Sequence, residues 1–262
     1  MSGGDPVSKD PWASLRRLTP ARVALGRVGD SLPTDALLEL SLAHAQARDA
    51  VHVPLQVAWL SERLAAAGFS AIPVQSTAVD RAHYLRLPDA GRRLDEPGIQ
   101  RLRAYSAAHR SSLCLVVADG LSATAVHRHA LPLLQALHPM LEARGMVTMV
   151  VAQQARVALG DQIGSLLGAE QVAVLIGERP GLSSPDSLGI YLTHAPRVGC
   201  TDAERNCISN IHPAGLSYEQ AAHRLAFLLE EARRLGCSGV ALKDRSDRGQ
   251  LPPSAQGLRS VE

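Results

Sequence analysis

QVAVLIGERPGL, Gln171 to Leu182, opens with five consecutive apolar residues, Val172 to Ile176. An unbroken apolar run of this length, closed by a turn, reads as a strand covered on both faces. It stops on Gly177, Glu178, Arg179, Pro180 and Gly181. Ligands of open α/β sheets bind outside the carboxyl ends of the strands. A carboxylate held there by a Pro-Gly turn makes Glu178 a candidate binding residue.

The same pattern repeats on the N-terminal side. SLCLVVADG (112–120) and MVTMVVAQQ (146–154) read as two more buried strands, and LGIYLTHAP (188–196) as another. Between them LSATAVHRHALPLLQALHPMLEARG reads as a helix interrupted by Pro132 and Pro139, and GDQIGSLLGAE as a short helix. SYEQAAHRLAFLLEEARRLG has Ala221, Leu225, Leu228 and Leu229 at helical spacing, and SGVALKD reads as a final short strand. Strand and helix in alternation predict a parallel sheet with right-handed crossovers. The fold class is therefore α/β, a Rossmann-like parallel sheet domain over residues 111–243. Its strand ends ADGLS, AQQARVALGD and GERPGL converge on one edge.

Residues 21–110 read as a helical N-terminal part. Leu37, Leu38, Leu42 and Ala45 are spaced for a helix, VAWLSERLAAAG ends on the capping Gly68, and PGIQRLRAYSAAHR forms a third helix. AIPVQS and the arginine-rich turn DAGRRLDEP lie between them. Residues 1–20 and 244–262 are rich in small and polar residues and read as flexible arms.

Composition narrows the function. Among 262 residues 46% are apolar and 20% charged, with a net charge of +2. No electrostatic footprint for nucleic acid exists at that balance. No apolar run reaches the roughly 18 residues of a membrane span, and MSGGDPVSKDPWASL is no secretory signal. The expectation is a cytoplasmic protein that engages neither nucleic acid nor membrane. Cys114, Cys200, Cys207 and Cys237 form no CxxC pair and are read as reduced.

The chain lacks GxGxxG after its first long strand and Gly-Lys-Ser/Thr anywhere, which disfavours nucleotides. His127 and His129, two apart on a helix, diverge. Surface histidines and packed thiols account for these residues better than a metal site. NIHPAG (210–215) differs by one residue from Asp-x-His-x-x-Gly, a motif that offers histidine to cobalt. Asn210 stands where a carboxylate should orient the ring, so His212 reads as a loop residue.

ARVALGDQIG, LIGERPGLSSPDSLGIYLTHAPRVG, TDAERNCISNIHPAG, LGRVGDSLPTDALL, YLRLPDAGRRLDE and VVADGLSATAVHRH together resemble the small (light) subunit of ethanolamine ammonia-lyase. The resemblance spans roughly Pro11 to Asp244. It implies a hetero-oligomer with a TIM-barrel large subunit that holds the ethanolamine. It also implies adenosylcobalamin at the interface between the subunits, with the cofactor's own base on cobalt, so that no protein histidine is required. The enzyme is a carbon–nitrogen lyase, releasing acetaldehyde and ammonia by radical chemistry. Val157, Glu178 and Cys207 are the positions implied to touch the cofactor, and this chain carries no catalytic residue. The implied location is the cytosol or a bacterial microcompartment. The alternative is a stand-alone α/β enzyme on a small polar metabolite, with Cys207 as nucleophile and His212 five residues on. A third reading is a scaffold that docks a partner through its helical half.

Overall fold

The computed structural model describes residues 7–8, 10–19, 21–141 and 144–249. Of the expected arms, residues 1–6, 9, 20 and 250–262 lie outside the described residues. Elsewhere in the N-terminal arm Ser8 bridges Arg27, and Ala13–Arg17 forms a 3-10 turn.

The chain enters through α1 (Thr34–His52) and α2 (Val57–Ala66). β1 (Ala71–Gln75), α3 (Arg81–Arg86) and α4 (Glu96–Ser106) follow. Then come β2 (Leu113–Ala118), α5 (Ala123–Leu137), β3 (Val147–Gln153), α6 (Leu159–Leu166) and β4 (Gln171–Gly177). β5 (Leu188–His194), β6 (Arg205–Ile211) and α7 (Tyr218–Leu235) complete the order. Side chains start several helices as their sequence suggests. Ser122 caps α5, Asp95 caps α4, and Ser217 with Gln220 forms a capping box on α7, which ends on left-handed Gly236. Pro132 sits inside α5 without ending it.

All six strands join one sheet in the order β1-β3-β2-β4-β5-β6. β1 pairs with β3, so the helical part and the sheet domain share a sheet across residue 110. The first four strands of that order run parallel, but β4–β5 and β5–β6 are antiparallel. This corrects the wholly parallel sheet expected from sequence. The cause is connection length. Residues 178–187 link β4 to β5, and a parallel return needs a dozen or more residues. RNCISNI, for which the sequence pattern predicts no element, is β6. SGVALKD, expected as strand, turns at Gly239–Ala241. There Asn206 donates to the carbonyls of Gly239 and Leu242 and accepts from Gly239 N–H, closing this segment on β6 by a side chain.

Strand residues alternate between two apolar layers. Leu113, Leu115, Val117, Ala173 and Leu175 face α2, α5 and α7. Cys114, Val116, Val150, Val172 and Val174 face α4 and α6. α6 lies so close that a Cβ on Gly160 would stand 2.3 Å from Val174 Cγ2. A buried two-pronged ion pair ties it to β6, with Arg205 Nη1–Asp161 Oδ1 at 2.6 Å and Nη2–Oδ2 at 2.8 Å.

The helix expected from the spacing of Leu37, Leu38 and Leu42 forms as α1, with those leucines on its outer side. Leu37, Leu38 and Leu42 are 51%, 64% and 60% exposed, while Ala36, Ala43 and Ala50 are buried. Alanines seven apart let the helix lie close to the body, and the larger side chains are left outside.

Gly177 ends β4 where no side chain fits: a Cβ there would be 2.0 Å from Ser122 O and 2.5 Å from Asp119 O. Gly177→Ala is expected to cost at least the upper end of the roughly 1–3 kcal/mol typical of overpacking. Chemical denaturation of the variant beside the parent measures it, and an unchanged midpoint would refute the close approach.

Candidate functional site

The topological switch point lies between β2 and β3, whose carboxyl ends lead to helices on opposite faces, α5 and α6. In folds of this kind the crevice there takes the ligand. Here the chain fills it. Asp119, just past β2, accepts the N–H groups of Gln154 and Ala155, both at 2.9 Å. Arg81 donates to Gly120 O at 2.9 Å, and the fully buried Tyr84 donates to Ala155 O at 3.1 Å. The guanidinium groups of Arg81 and Arg156 stack over the Tyr84 ring at 4.8 and 4.2 Å. Burial raises the Asp119 carboxyl pKa against the pull of these donors, and burial lowers that of Arg81. Helix α3, which brings Arg81 and Tyr84 here, was not anticipated from the sequence.

The expected site residues lie beside this plug. Glu178 follows β4, and its two carboxylate oxygens accept Asn210 N–H at 3.3 and 3.2 Å. It makes no ion pair among the described residues, with Arg179 or any other arginine. Its side chain lies over Gly189, where a Cβ would stand 2.9 Å from Oε1. Asn210 adopts a left-handed φ of 61° at the end of β6, beside the register shift between β5 and β6. His212 Nε2 meets Asn210 Oδ1 at 2.9 Å.

Cys207 is exposed on β6, directly across from Tyr191 of β5. The Tyr191 hydroxyl and the Cys207 thiol lie close enough for each to influence the other's titration. Desolvation pushes the phenol up to about 12, with Cys207 and Glu178 adding to the shift. Desolvation also raises the Cys207 thiol, opposed by the neighbouring Tyr191 hydroxyl and reinforced by Glu178. A thiol raised in this way stays protonated near neutrality and is a poor nucleophile. Val157 sits between β3 and α6, and both it and Tyr191 pack against the layer under α4 and α6. Its N–H and that of Ala158 meet no acceptor among the described residues.

The structure thus gathers Glu178 and Cys207 around Tyr191 on one face of the β4–β5–β6 end of the sheet, with Val157 packed on the same layer. The helices packed on β5 and β6 are α5 and α7, both on the opposite face. Sequence reasoning missed Gly189, Tyr191 and Asn210. Period-two alternation in LGIYLTH, which places Gly189 and Tyr191 on one side, was the available signal. It also expected His129 at the surface and Cys207 packed; His129 is 4% exposed and Cys207 is open. Tyr218, on α7, covers the imidazole, while the edge position of β6 uncovers the thiol.

The loop after Glu178 is pinned at several points. Glu178 N–H donates to Ser187 O at 3.0 Å, and Ser122 Oγ donates to Pro185 O at 3.1 Å. Asp186 Oδ2 lies 2.7 Å from Arg128 Nη1 and 3.4 Å from His129 Nε2, whose Nδ1 meets Tyr218 OH at 2.8 Å. Arg22 reaches Leu182 O at 3.3 Å.

Fold and site define a mixed α/β protein with its central crevice closed and one sheet face left open. The model of the ethanolamine ammonia-lyase light chain family matches residues 9–243. An ethanolamine ammonia-lyase small subunit of Azotobacter vinelandii is 54% identical over 98% of this chain and 97% of its own length. One of Pseudomonas fluorescens is 56% identical over 95% and 92%, and one of Ralstonia nicotianae 54% over 92% and 91%. The chain belongs to the ethanolamine ammonia-lyase light chain family.

Burial holds the His129 imidazole pKa below its ordinary value, with Asp186 pulling upward and His212 downward. The unfolded chain, with a histidine pKa of about 6.5, therefore binds the proton first. The stability linked to this group is present above that pH and is lost as pH falls through it. His129→Gln should flatten the fall in Tm between about pH 7.5 and 5.5. An unchanged slope would remove His129 from that linkage.

Proposed function

We propose that this chain holds adenosylcobalamin along the open face of β5 and β6, as the small subunit of a hetero-oligomeric ethanolamine ammonia-lyase. The observation that carries the reading is the open face itself. A corrin ring is rimmed with amide side chains that both donate and accept hydrogen bonds. Glu178 offers them a carboxylate that makes no ion pair among the described residues, and the N–H donors of Val157 and Ala158, unused among those residues, stand beside the face for another acceptor of the cofactor. Gly189 keeps the Glu178 side chain low over the sheet and leaves clearance beside it. The Tyr191–Cys207 pair adds a short polar edge. These residues suit the group.

When bound, the cofactor supplies a cobalt–carbon bond that breaks homolytically to give the radical that takes hydrogen from ethanolamine. This chain's residues bind, orient and cover; its reacting groups are none. Ethanolamine belongs to a large partner subunit, a TIM barrel by family resemblance, which closes the other side. The exposed leucines of α1 and the apolar residues Trp12, Leu15 and Leu18 before it are what a subunit shows before assembly. Arg22, which lies between them in the chain, reaches Leu182 O in the loop after Glu178. The complex works in the cytosol or inside a bacterial microcompartment.

Glu178→Ala, in the complex with the large subunit, is expected to weaken adenosylcobalamin binding about tenfold to a hundredfold, the worth of one charge-assisted hydrogen bond. The ethanolamine KM and the assembly should hold, since neither depends on this carboxylate. Cys207→Ala should keep most of the affinity and turnover. An absorbance titration of the cofactor into each complex reads both. Normal affinity in the Glu178→Ala complex, or abolished turnover in Cys207→Ala with the cofactor bound, would overturn the assignment.

A further inference from the structure

A cavity of about 600 Å³ opens beside α6, between the 3-10 turn Pro88–Arg92 and the loop at 198–202. Val157 lines it and also packs on the layer that carries Tyr191, so the cavity adjoins the proposed corrin face. Arg205, on its floor, stands two residues before Cys207 on the same side of β6. Four arginines line it: Arg92, Arg93, Arg156 and Arg205.

Two of the four are already answered. Arg205 is neutralised by the buried carboxylate of Asp161, and Arg92 pairs with Asp89 at 3.0 Å. Asp202, the remaining carboxylate of the lining, is exposed at the rim, 3.5 Å from Arg205 Nε. Arg93 and Arg156 have no carboxylate partner among the described residues. Arg156 is held in place: its backbone N–H donates to Gly91 O at 2.8 Å, its Nη2 donates to Tyr84 O at 3.3 Å, and its plane stacks on the Tyr84 ring. Its Nε is buried and bonded to nothing in the protein. A Cβ on Gly91 would sit 2.8 Å from Tyr84 Cε2 and 2.9 Å from Arg156 Cγ, so the turn packs directly on the ring and on the stem of this arginine. The N–H groups of Val157 and Ala158, at the start of α6, add uncommitted donors on the same wall. Two unpaired guanidinium groups with free backbone donors in a concave site form a receptor for a phosphate-like anion.

We infer that this pocket receives the phosphodiester of the cofactor's nucleotide tail, through Arg93, Arg156 and the N–H groups of Val157 and Ala158. The inference rests on the corrin reading above. A cobalamin carries one anionic group of this kind, and the arginine-rich turn DAGRRLDEP supplies one of the two cations through Arg93, whose side chain has no carboxylate partner among the described residues. The same chemistry would fit free inorganic phosphate, so the test separates the two.

The complex of this chain with the large subunit is titrated with cyanocobalamin and with dicyanocobinamide, which lacks the phosphodiester and the base. Arg93→Gln changes an exposed residue and should leave folding intact. It should weaken cyanocobalamin about tenfold to a hundredfold and leave dicyanocobinamide unchanged. Arg156→Lys keeps the charge but loses the planar fork and should lie between parent and Arg93→Gln in its effect on cyanocobalamin. Inorganic phosphate at millimolar concentration should compete with cyanocobalamin and not with dicyanocobinamide. Equal losses for both corrinoids, or no loss for either, would overturn the inference. Phosphate binding abolished by Arg93→Gln with cyanocobalamin affinity intact would also overturn it, and would assign the pocket to a free anion. A parent complex that binds neither corrinoid would instead overturn the corrin reading itself.

Discussion

Two backbones pass each other at Gly120 and Gly177 with no room for a β carbon on either. A Cβ on Gly120 would stand 2.3 Å from Gly177 O, and one on Gly177 would stand 2.0 Å from Ser122 O. Leu121 N–H donates to Gly177 O at 2.9 Å across this contact. The crossing fixes how the turn into α5 meets the end of β4, and everything at that edge follows from it. It sets the point at which the chain leaves the sheet and Glu178 begins. It brings Ser122 close enough both to cap α5 and to hold Pro185 in the loop beyond Glu178. A larger residue at either glycine would move the carboxylate and the loop together.

The second constraint is what occupies the centre of the fold. A parallel α/β sheet offers a crevice at its switch point, and an unfilled crevice invites a nucleotide. Arg81, Tyr84 and Asp119 close it with charge, ring and hydrogen bonds. The closure buries a carboxylate and a guanidinium, each at a desolvation cost, and it is tolerable because both are bonded. The arrangement also fixes Arg156, whose stacking on Tyr84 turns the loop that leads to Val157. The plug and the proposed binding face therefore share one buried aromatic ring.

Much of this was readable in the residues. The apolar runs of β2, β3 and β4 and the capping residues of α5 and α7 announce themselves, because they depend on local pattern and on burial of both strand faces. Glu178 stood out by its place at the end of a buried strand, but Cys207 and Val157 were joined to it only through resemblance, since nothing in their local spacing links them. β6 was missed because RNCISNI mixes polar and apolar residues without a clean run, as an edge strand with one bare side does. The α1 leucines marked the helix but not its inner face. Periodicity shows that a helix has an apolar stripe and is silent on whether the body or another molecule covers it. Here alanines take the inner positions and leucines the outer ones. Tyr191 and Asn210 acquire meaning only once β5 and β6 are known to be neighbours.

The open face itself is a product of topology. Each parallel return must carry a crossover, and in this chain the crossovers place α4, α5 and α6 over the two sides of β1, β3, β2 and β4. An antiparallel return carries none. Once the chain turns back through residues 178–187 and again through 195–204, the sheet gains two strands and no helix to cover them. α7 then covers one side of the added strands. The other side keeps a half-exposed tyrosine, an exposed thiol and an unpaired carboxylate. Surface of that composition is too polar to be a defect in the core and too concentrated to be random exterior. It also lies against a pocket in which two of the four guanidinium groups, those of Arg93 and Arg156, have no carboxylate partner among the described residues. A sheet extended in this way, without further helices, makes a platform on which a large, flat, amide-rimmed ligand can lie. The Asp161–Arg205 pair ties this platform to the parallel body.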